Sequence, residues 1–369
     1  DEIITADGYH VQNHIDIKTE DGYLLTLHRI PSGKNNSDIK RRPSVLLMHG
    51  LLGGSADWVS MGPEKSLAYL LADRGFDVWM GNARGTTWSR KHNVLDPDVD
   101  KQDYWNFSWH EIGYYDLPRL IDYILENTKS EQLFYVGHSQ GTTSFYVMAS
   151  ERPEYNKKIK LAVSLAPVAY VENVKYRLYR LLSNFIQTAE WLMKRFNIYE
   201  LFRYSEFYRF LALDACKDGN ETEDTCKNLL SGGTGKDVEQ INGTIIPVIA
   251  SNSPSGASTK QFLHFLQGIK SGEFKQYDHG EFENLLKYKQ KTPPSYNLTQ
   301  ITAPVALYYA KNDLKSDIID VQRLTEELPN VVVKHLIEYE HFNHMDYLFA
   351  IDVVKFLYND ILNCMNMFT

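Results

Sequence analysis

Two patterns of apolar residues take turns along this chain. Ile15 and Ile17 alternate with polar neighbours, and beyond the turn Glu20-Asp21-Gly22 so do Leu25 and Leu27, which predicts an opening β-hairpin. Pro31 to Arg42 reads as loop. Val45 to Met48 is an unbroken apolar run, the pattern of a strand buried on both faces, and it ends in His49-Gly50-Leu51-Leu52-Gly53-Gly54. Leu67 to Arg74 then reads as helix and Phe76 to Met80 as strand. From His110 to Asn127 the residues Ile112, Tyr115, Leu117, Leu120, Ile121, Ile124 and Leu125 fall largely at helical spacing, with Pro118 predicting a kink or a delayed start. Leu133 to Val136 has strand chemistry, Thr142 to Ser150 is helix-compatible, and Ile159 to Ala166 is another buried strand. This alternation predicts a mostly parallel sheet with helices on both faces.

From about Val168 the alternation stops. Val171 to Ala215 reads as long, helical and aromatic, and Lys217 to Asp237 as polar and glycine-rich. Strand and helix resume at Val305 to Tyr309, continue through a helix near Ile318 to Leu328 and a strand Val331 to Ile337, and close with a helix Asp346 to Leu362. The expectation is one α/β core, residues 1–167 and 301–369, interrupted by a mainly helical cap with a lid over 168–300.

Composition narrows the partners. With 43% hydrophobic and 23% charged residues the chain is ordinary globular material, and a formal net charge of -8 argues against a nucleic-acid partner. The short basic run Lys40-Arg41-Arg42 reads as a solvated loop. No stretch reaches the roughly eighteen consecutive apolar residues of a membrane span, and no apolar leader opens the chain, so Asp1 is expected to be a mature N-terminus. Cys216 and Cys226, close together in a polar segment, suit a local disulfide, whereas Cys364 has no obvious mate. So few thiols make metal binding an unattractive reading. Sequons at Asn35, Asn106, Asn220, Asn242 and Asn297 lie in or beside turn-forming sequence, which suits glycosylation and an extracellular or lumenal compartment.

The chemistry centres on Gly137-His138-Ser139-Gln140-Gly141, which stands between predicted strand and predicted helix. A serine on so sharp a turn is exposed above the sheet, and its flanking glycines let strand and helix come close. A serine hydroxyl is a weak nucleophile at neutral pH; it needs an imidazole to take its proton and a carboxylate to hold that imidazole. On this fold the partners follow in the order serine, acid, histidine. Asp313 lies in the loop after the strand ending at Tyr309, with Asp317 as competitor; beyond the last strand stand His341 and His344, which the pattern barely separates, while His335 falls within the strand and reads as structural. For the oxyanion, the backbone N–H groups of Gln140 and Leu51 are the expected donors, and His49 is expected to order its loop. Neither a metal nor a cofactor is called for.

On these residues the chain resembles the acid lipase family, the group containing gastric lipase and lysosomal acid lipase. The segments that carry the likeness are Thr19-Glu20-Asp21-Gly22-Tyr23, His49-Gly50-Leu51-Leu52, Gly81-Asn82-Ala83-Arg84-Gly85-Thr86-Thr87-Trp88-Ser89, Tyr114-Tyr115-Asp116-Leu117-Pro118, Gly137 to Thr142 and Asn343-His344-Met345-Asp346. The long cap and general pattern resemble arthropod members more than mammalian ones. The resemblance implies an α/β-hydrolase fold with a helical cap and movable lid, secretion or lysosomal delivery, and hydrolysis of triacylglycerols or sterol esters. It also implies Ser139 as nucleophile, Asp313 as acid, His344 rather than His341 as base, and Leu51 with Gln140 as the oxyanion hole. One departure stands out: the segment where a lid would fall, Cys216 to Lys236, carries Asp218, Glu221, Glu223 and Asp224 and a sequon, whereas a fat-docking lid should expose apolar side chains on opening. Contact with a lipid–water interface is therefore a weaker expectation than ester hydrolysis. The alternatives are a soluble carboxylesterase for short or non-glyceride esters, and a lipid carrier that keeps the fold without catalysis.

Overall fold

The computed structural model describes residues 1–36, 41–203, 205, 233–237 and 239–369. Its centre is an eight-stranded sheet. In chain order the strands are β1 (Gln12–Lys18), β2 (Leu24–Ile30), β3 (Ser44–Met48), β4 (Asp77–Asn82), β5 (Leu133–His138), β6 (Ile159–Leu165), β9 (Val305–Tyr309) and β10 (Val331–Leu336); the pair β7 (Glu200–Leu201) and β8 (Ala257–Ser258) lies apart. The spatial order is β1-β2-β4-β3-β5-β6-β9-β10. β1, β2 and β4 pair antiparallel, and every pairing from β4 to β10 is parallel.

Both faces of this sheet are covered, which is why its inner strands carry no polar stripe. Val45 and Leu47 of β3, with Val78, Met80, Phe134 and Val136 of its neighbours, face one apolar cluster; Leu46, Met48, Trp79, Leu133 and Tyr135 face a second on the opposite side. The period of two along each strand distributes alternate residues between two cores. Burying each such aliphatic side chain contributes about 1.5–3 kcal/mol.

Several expected elements differ in detail. The alternation of Ile15 and Ile17 places both on one face, yet Ile17 is buried and Ile15 is 62% exposed. A bulge between His14 and Ile17, with Asp16 at φ 58°, inserts the residues that break the register. The helix expected over 110–127 is a short α-turn Trp109–Glu111, a π-helical turn Ile112–Asp116 and the helix Leu117–Thr128. Pro118 sits in the first turn of that last segment, where its missing N–H costs nothing. The expected C-terminal helix is likewise split, into Asp346–Phe349, the π-helical turn Val354–Tyr358 and Asn359–Asn366.

Between β6 and β9, which are neighbours in the sheet, the chain leaves it. The expected long aromatic helix is broken there into Arg177–Leu182, Ser183–Phe185 and Ile186–Arg195, followed by β7; the helices Ile246–Asn252, Thr259–Ser271 and Glu281–Tyr288 come later. Most of the expected lid, with Cys216, Cys226 and Asn220, falls outside the described residues. Cys364 is a free, buried thiol.

Candidate active site

β5 lies between β3 and β6, and the chain turns at its carboxyl end into the helix Gln140–Glu151. Ser139 makes that turn at φ 52°, ψ −118°, a conformation that non-glycine residues adopt only when the surroundings enforce it. The enforcement is visible: Ser139 N–H donates to Leu165 of β6 at 2.9 Å, and the N–H of Thr142 donates to Ser139 O at 2.8 Å. Tight packing explains the two glycines. A Cβ on Gly137 would stand 2.8 Å from the Gly141 carbonyl carbon, and one on Gly141 would collide with the carbonyl of Met48.

The sheet then delivers two further groups to the same place. The loop after β9 carries Asp313 and the loop after β10 carries His344, and both side chains are buried. His344 Nε2 lies 2.8 Å from Ser139 Oγ, and His344 Nδ1 lies 2.8 Å from Asp313 Oδ2. A carboxylate accepts only, so the imidazole carries its proton on Nδ1 and turns the Nε2 lone pair toward the serine hydroxyl. Asp313 is fixed in turn by the N–H groups of Lys315 and Ser316, at 2.8 and 3.0 Å from Oδ1.

The rival residues stand elsewhere. Asp317 caps the helix Ile318–Glu327 through the Ile319 N–H at 2.9 Å and meets Lys175 Nζ at 2.8 Å. His341 is exposed and packs edge-on against Tyr339. His335 sits in β10 with Asp360 at 3.6 Å.

Gln140, as the first residue of its helix, has one of the backbone N–H groups that a helix leaves without an internal acceptor. Leu51 lines the same cavity as Ser139, on a loop closed by the Gly53 N–H to Gly50 O at 3.1 Å and strained at Leu52, φ 67°. His49 braces this loop: its Nε2 accepts from Ala83 N–H at 3.1 Å, so Nδ1 is the donor to Gly50 O at 2.7 Å. Burial holds its pKa down at about 4, so it stays neutral and keeps that tautomer.

Around Ser139 opens a cavity of about 1080 Å³. Val168, Val171, Ile249, Phe262, Phe265 and Ile269 represent its mainly apolar wall, all of them from the chain between β6 and β9. Two charged-type residues in that wall, besides the exposed Arg203, escaped the reading of the sequence. Asp57 accepts from Gly54 N–H at 3.0 Å and from Ser253 Oγ at 2.9 Å, and burial pushes its carboxyl up to about 6. Lys315 is the other. Neither belongs to a motif with recognisable spacing; the one usable signal was that Lys315 falls two residues after Asp313.

The remaining motif segments meet in a buried ion cluster. Arg84 donates from Nε and Nη2 to Asp116 Oδ1 at 2.8 and 2.7 Å and from Nη2 to Asp21 Oδ1 at 2.9 Å, while its guanidinium lies 4.0 Å from the centre of the Tyr23 ring. Three separate stretches of chain are thus tied beneath the loops, without touching Ser139. Of the sequons, Asn35, Asn106 and Asn297 are exposed, and Asn242 is half-buried with its Oδ1 accepting from Thr244 N–H at 3.1 Å.

Comparison with known proteins gives concordant matches. The family model of the alpha/beta hydrolase fold matches residues 43–348, and that of the partial alpha/beta-hydrolase lipase region matches residues 1–62. Lipase 3 of Drosophila melanogaster is 42% identical over 100% of this chain and 92% of its own length. Gastric triacylglycerol lipase of Bos taurus is 40% identical over 99% of this chain and 90% of its own. Among solved structures, a soluble variant of monoglyceride lipase from Saccharomyces cerevisiae superposes with a TM-score of 0.55 at 16% identity, covering 98% of each chain, which speaks to the fold alone. Relatives at this identity over nearly the full length, together with the two family matches, mean that the chain belongs to the α/β-hydrolase fold family and, within it, to the acid lipases.

Proposed function

We propose that this chain is a serine lipase that hydrolyses carboxylic esters of lipids, triacylglycerol or sterol ester, through an acyl-enzyme on Ser139. The observation that carries the reading is the run of short contacts from Ser139 Oγ through His344 to Asp313, at 2.8 Å each, opening on an apolar cavity. Ser139 attacks the acyl carbonyl as His344 Nε2 takes its proton; the proton then passes to the leaving alcohol, and water repeats the sequence to free the fatty acid. Asp313 holds the ring and offsets the charge of the transient imidazolium. The N–H groups of Leu51 and Gln140 receive the oxyanion. The names of the relatives, a gastric triacylglycerol lipase among them, support a lipid substrate.

In this reading residues 168–300 form the cap over the core, because they supply most of the cavity wall. The surface of that region supports contact with lipid. Leu181, Phe185, Trp191, Phe196 and Phe202 are all exposed, Trp191 by 63% and Phe196 by 66%, and Phe202 also lines the cavity. Exposed Arg177, Arg180, Lys194 and Arg195 stand among them. Exposed apolar side chains on the segment that also supplies the cavity wall are what a lipid–water interface would dock on. Glycans on exposed Asn35, Asn106 and Asn297 would fit passage through the secretory pathway. No helix among the described residues is long and apolar enough to cross a membrane.

The test is hydrolysis of emulsified triolein against soluble p-nitrophenyl butyrate, with Ser139→Ala as control. Rates that climb once substrate exceeds its solubility and vanish in the mutant are expected. Activity confined to the soluble ester would make the protein a carboxylesterase. A wild type as inert as Ser139→Ala would leave a lipid-binding protein on a hydrolase fold.

A further inference from the structure

Lys315 interrupts the apolar wall of the cavity that holds Ser139. The start of its side chain is set by the site itself, since its backbone N–H donates to Asp313 Oδ1 at 2.8 Å. By contrast, partly buried Lys158 meets Asp122 at 2.5 Å, and Arg203, an exposed residue of the cavity wall, meets Asp98 at 2.6 Å. Among the described residues the Lys315 ammonium has neither a hydrogen-bond acceptor nor an ion-pair partner. Asp57, a carboxyl of the wall, is taken up by Gly54 and Ser253, and Asp313, behind the wall, by His344.

Such a cation is left unsatisfied by the described residues. Burial pulls its pKa down, with Asp313 as the opposing influence. An ammonium in apolar surroundings is expensive until an anion joins it, and a charge-assisted hydrogen bond to a carboxylate is the strong kind. An apolar cavity with an ammonium in its wall that no described residue pairs recognises an apolar tail that ends in a carboxylate. Every turnover of the proposed reaction releases that molecule in this place.

We propose that Lys315 is the carboxylate anchor of a fatty-acid site within the cavity, so that the protein binds the acid product of its own reaction. The tail lies against the side of the cavity formed by Phe262, Phe265 and Ile269, and the carboxylate takes its hydrogen bond from Nζ. Uncharged lipids of the same length bind without that contact, so the acid outcompetes them. The origin of the ligand rests on the lipase reading; the binding itself does not.

The experiment measures displacement of a fluorescent fatty acid from the Ser139→Ala protein, which has no turnover to confuse the readout, by oleate and by oleyl alcohol. Oleate is expected to bind about tenfold tighter than the alcohol, the factor a single charge-assisted contact supplies. Lys315→Met should abolish that preference while the alcohol still binds, and Lys315→Arg should keep it. Equal affinity for acid and alcohol in the parent would overturn the proposal, as would a preference that survives Lys315→Met or an equal weakening of both ligands. Ester hydrolysis by the wild type is scored separately: a protein that prefers oleate through Lys315 yet cleaves no ester would sink the lipase reading and leave the fatty-acid site standing.

Discussion

His138 Nε2 lies 2.9 Å from the main-chain carbonyl of His344, so the residue before the proposed nucleophile holds the residue proposed as its base. The N–H of His344 is held from the other side, by Thr234 O at 3.1 Å. Burial drives the pKa of His138 well below the ordinary histidine value, with the neighbouring His344 acting in the same direction, so His138 is neutral and its Nε2–H is the donor. Losing that bond frees the His344 backbone by fractions of an ångström, and proton transfer depends on such distances. His138→Leu is therefore expected to lower kcat on a soluble ester about tenfold, the worth of one hydrogen bond to a positioned group, with a smaller change in KM. Steady-state kinetics on a variant with a wild-type melting profile checks this; an unchanged kcat would show that His344 is positioned without His138.

Arg84 answers to a different kind of test. Its side chain is 1% exposed and Asp116 is fully buried, so removing the cation leaves a buried carboxylate without its counter-charge, held only by the Arg84 backbone N–H at 3.0 Å. The cost of breaking such a pair is about 3–5 kcal/mol. Arg84→Met should lower the unfolding free energy by that order in urea titrations, and a loss under about 1 kcal/mol would mean that the cluster contributes little to the fold.

Asp57 gives a prediction with a sign. The folded chain keeps its proton up to a pH of about 6. An ordinary aspartate loses it near pH ~4. Between those values the folded state binds more protons than the unfolded state, so this group's contribution to stability falls as pH rises through the window. Asp57→Asn removes the titration. Measured at pH 4 and pH 7, the stability difference between wild type and variant should shift by up to about 3 kcal/mol, with the wild type relatively better at pH 4. A difference independent of pH would mean that Asp57 titrates normally.

Legibility followed the range of the interactions. β3 to β6 were readable because burial on both faces leaves an unbroken apolar run, and Ser139 because its turn demands glycine at 137 and 141. The bulge at Asp16 was invisible, since one residue in a left-handed conformation changes which face Ile15 meets without changing the pattern. The delayed start at Pro118 was readable, but the π-turn Ile112–Asp116 before it was not, because a π-turn keeps helical spacing approximately while shifting the face. His344 and His341 could be separated by pattern only weakly, because what decides between them is the carbonyl of Thr234 and the ring of His138, both far away in sequence. Arg84 was noticed as part of a motif, but its partners Asp21 and Asp116 come from two other motifs and meet it only once the sheet has formed.

The most direct measurement of the central claim is covalent. The protein is treated with a p-nitrophenyl alkylphosphonate, which mimics the tetrahedral intermediate and is trapped by an activated serine, and the adduct is located by peptide mass spectrometry. Stoichiometric labelling confined to the peptide containing Ser139, absent in Ser139→Ala and slowed by more than about a hundredfold in His344→Ala, is the predicted result. Labelling that persists in Ser139→Ala, or that proceeds as fast without the His344 imidazole, would contradict the account.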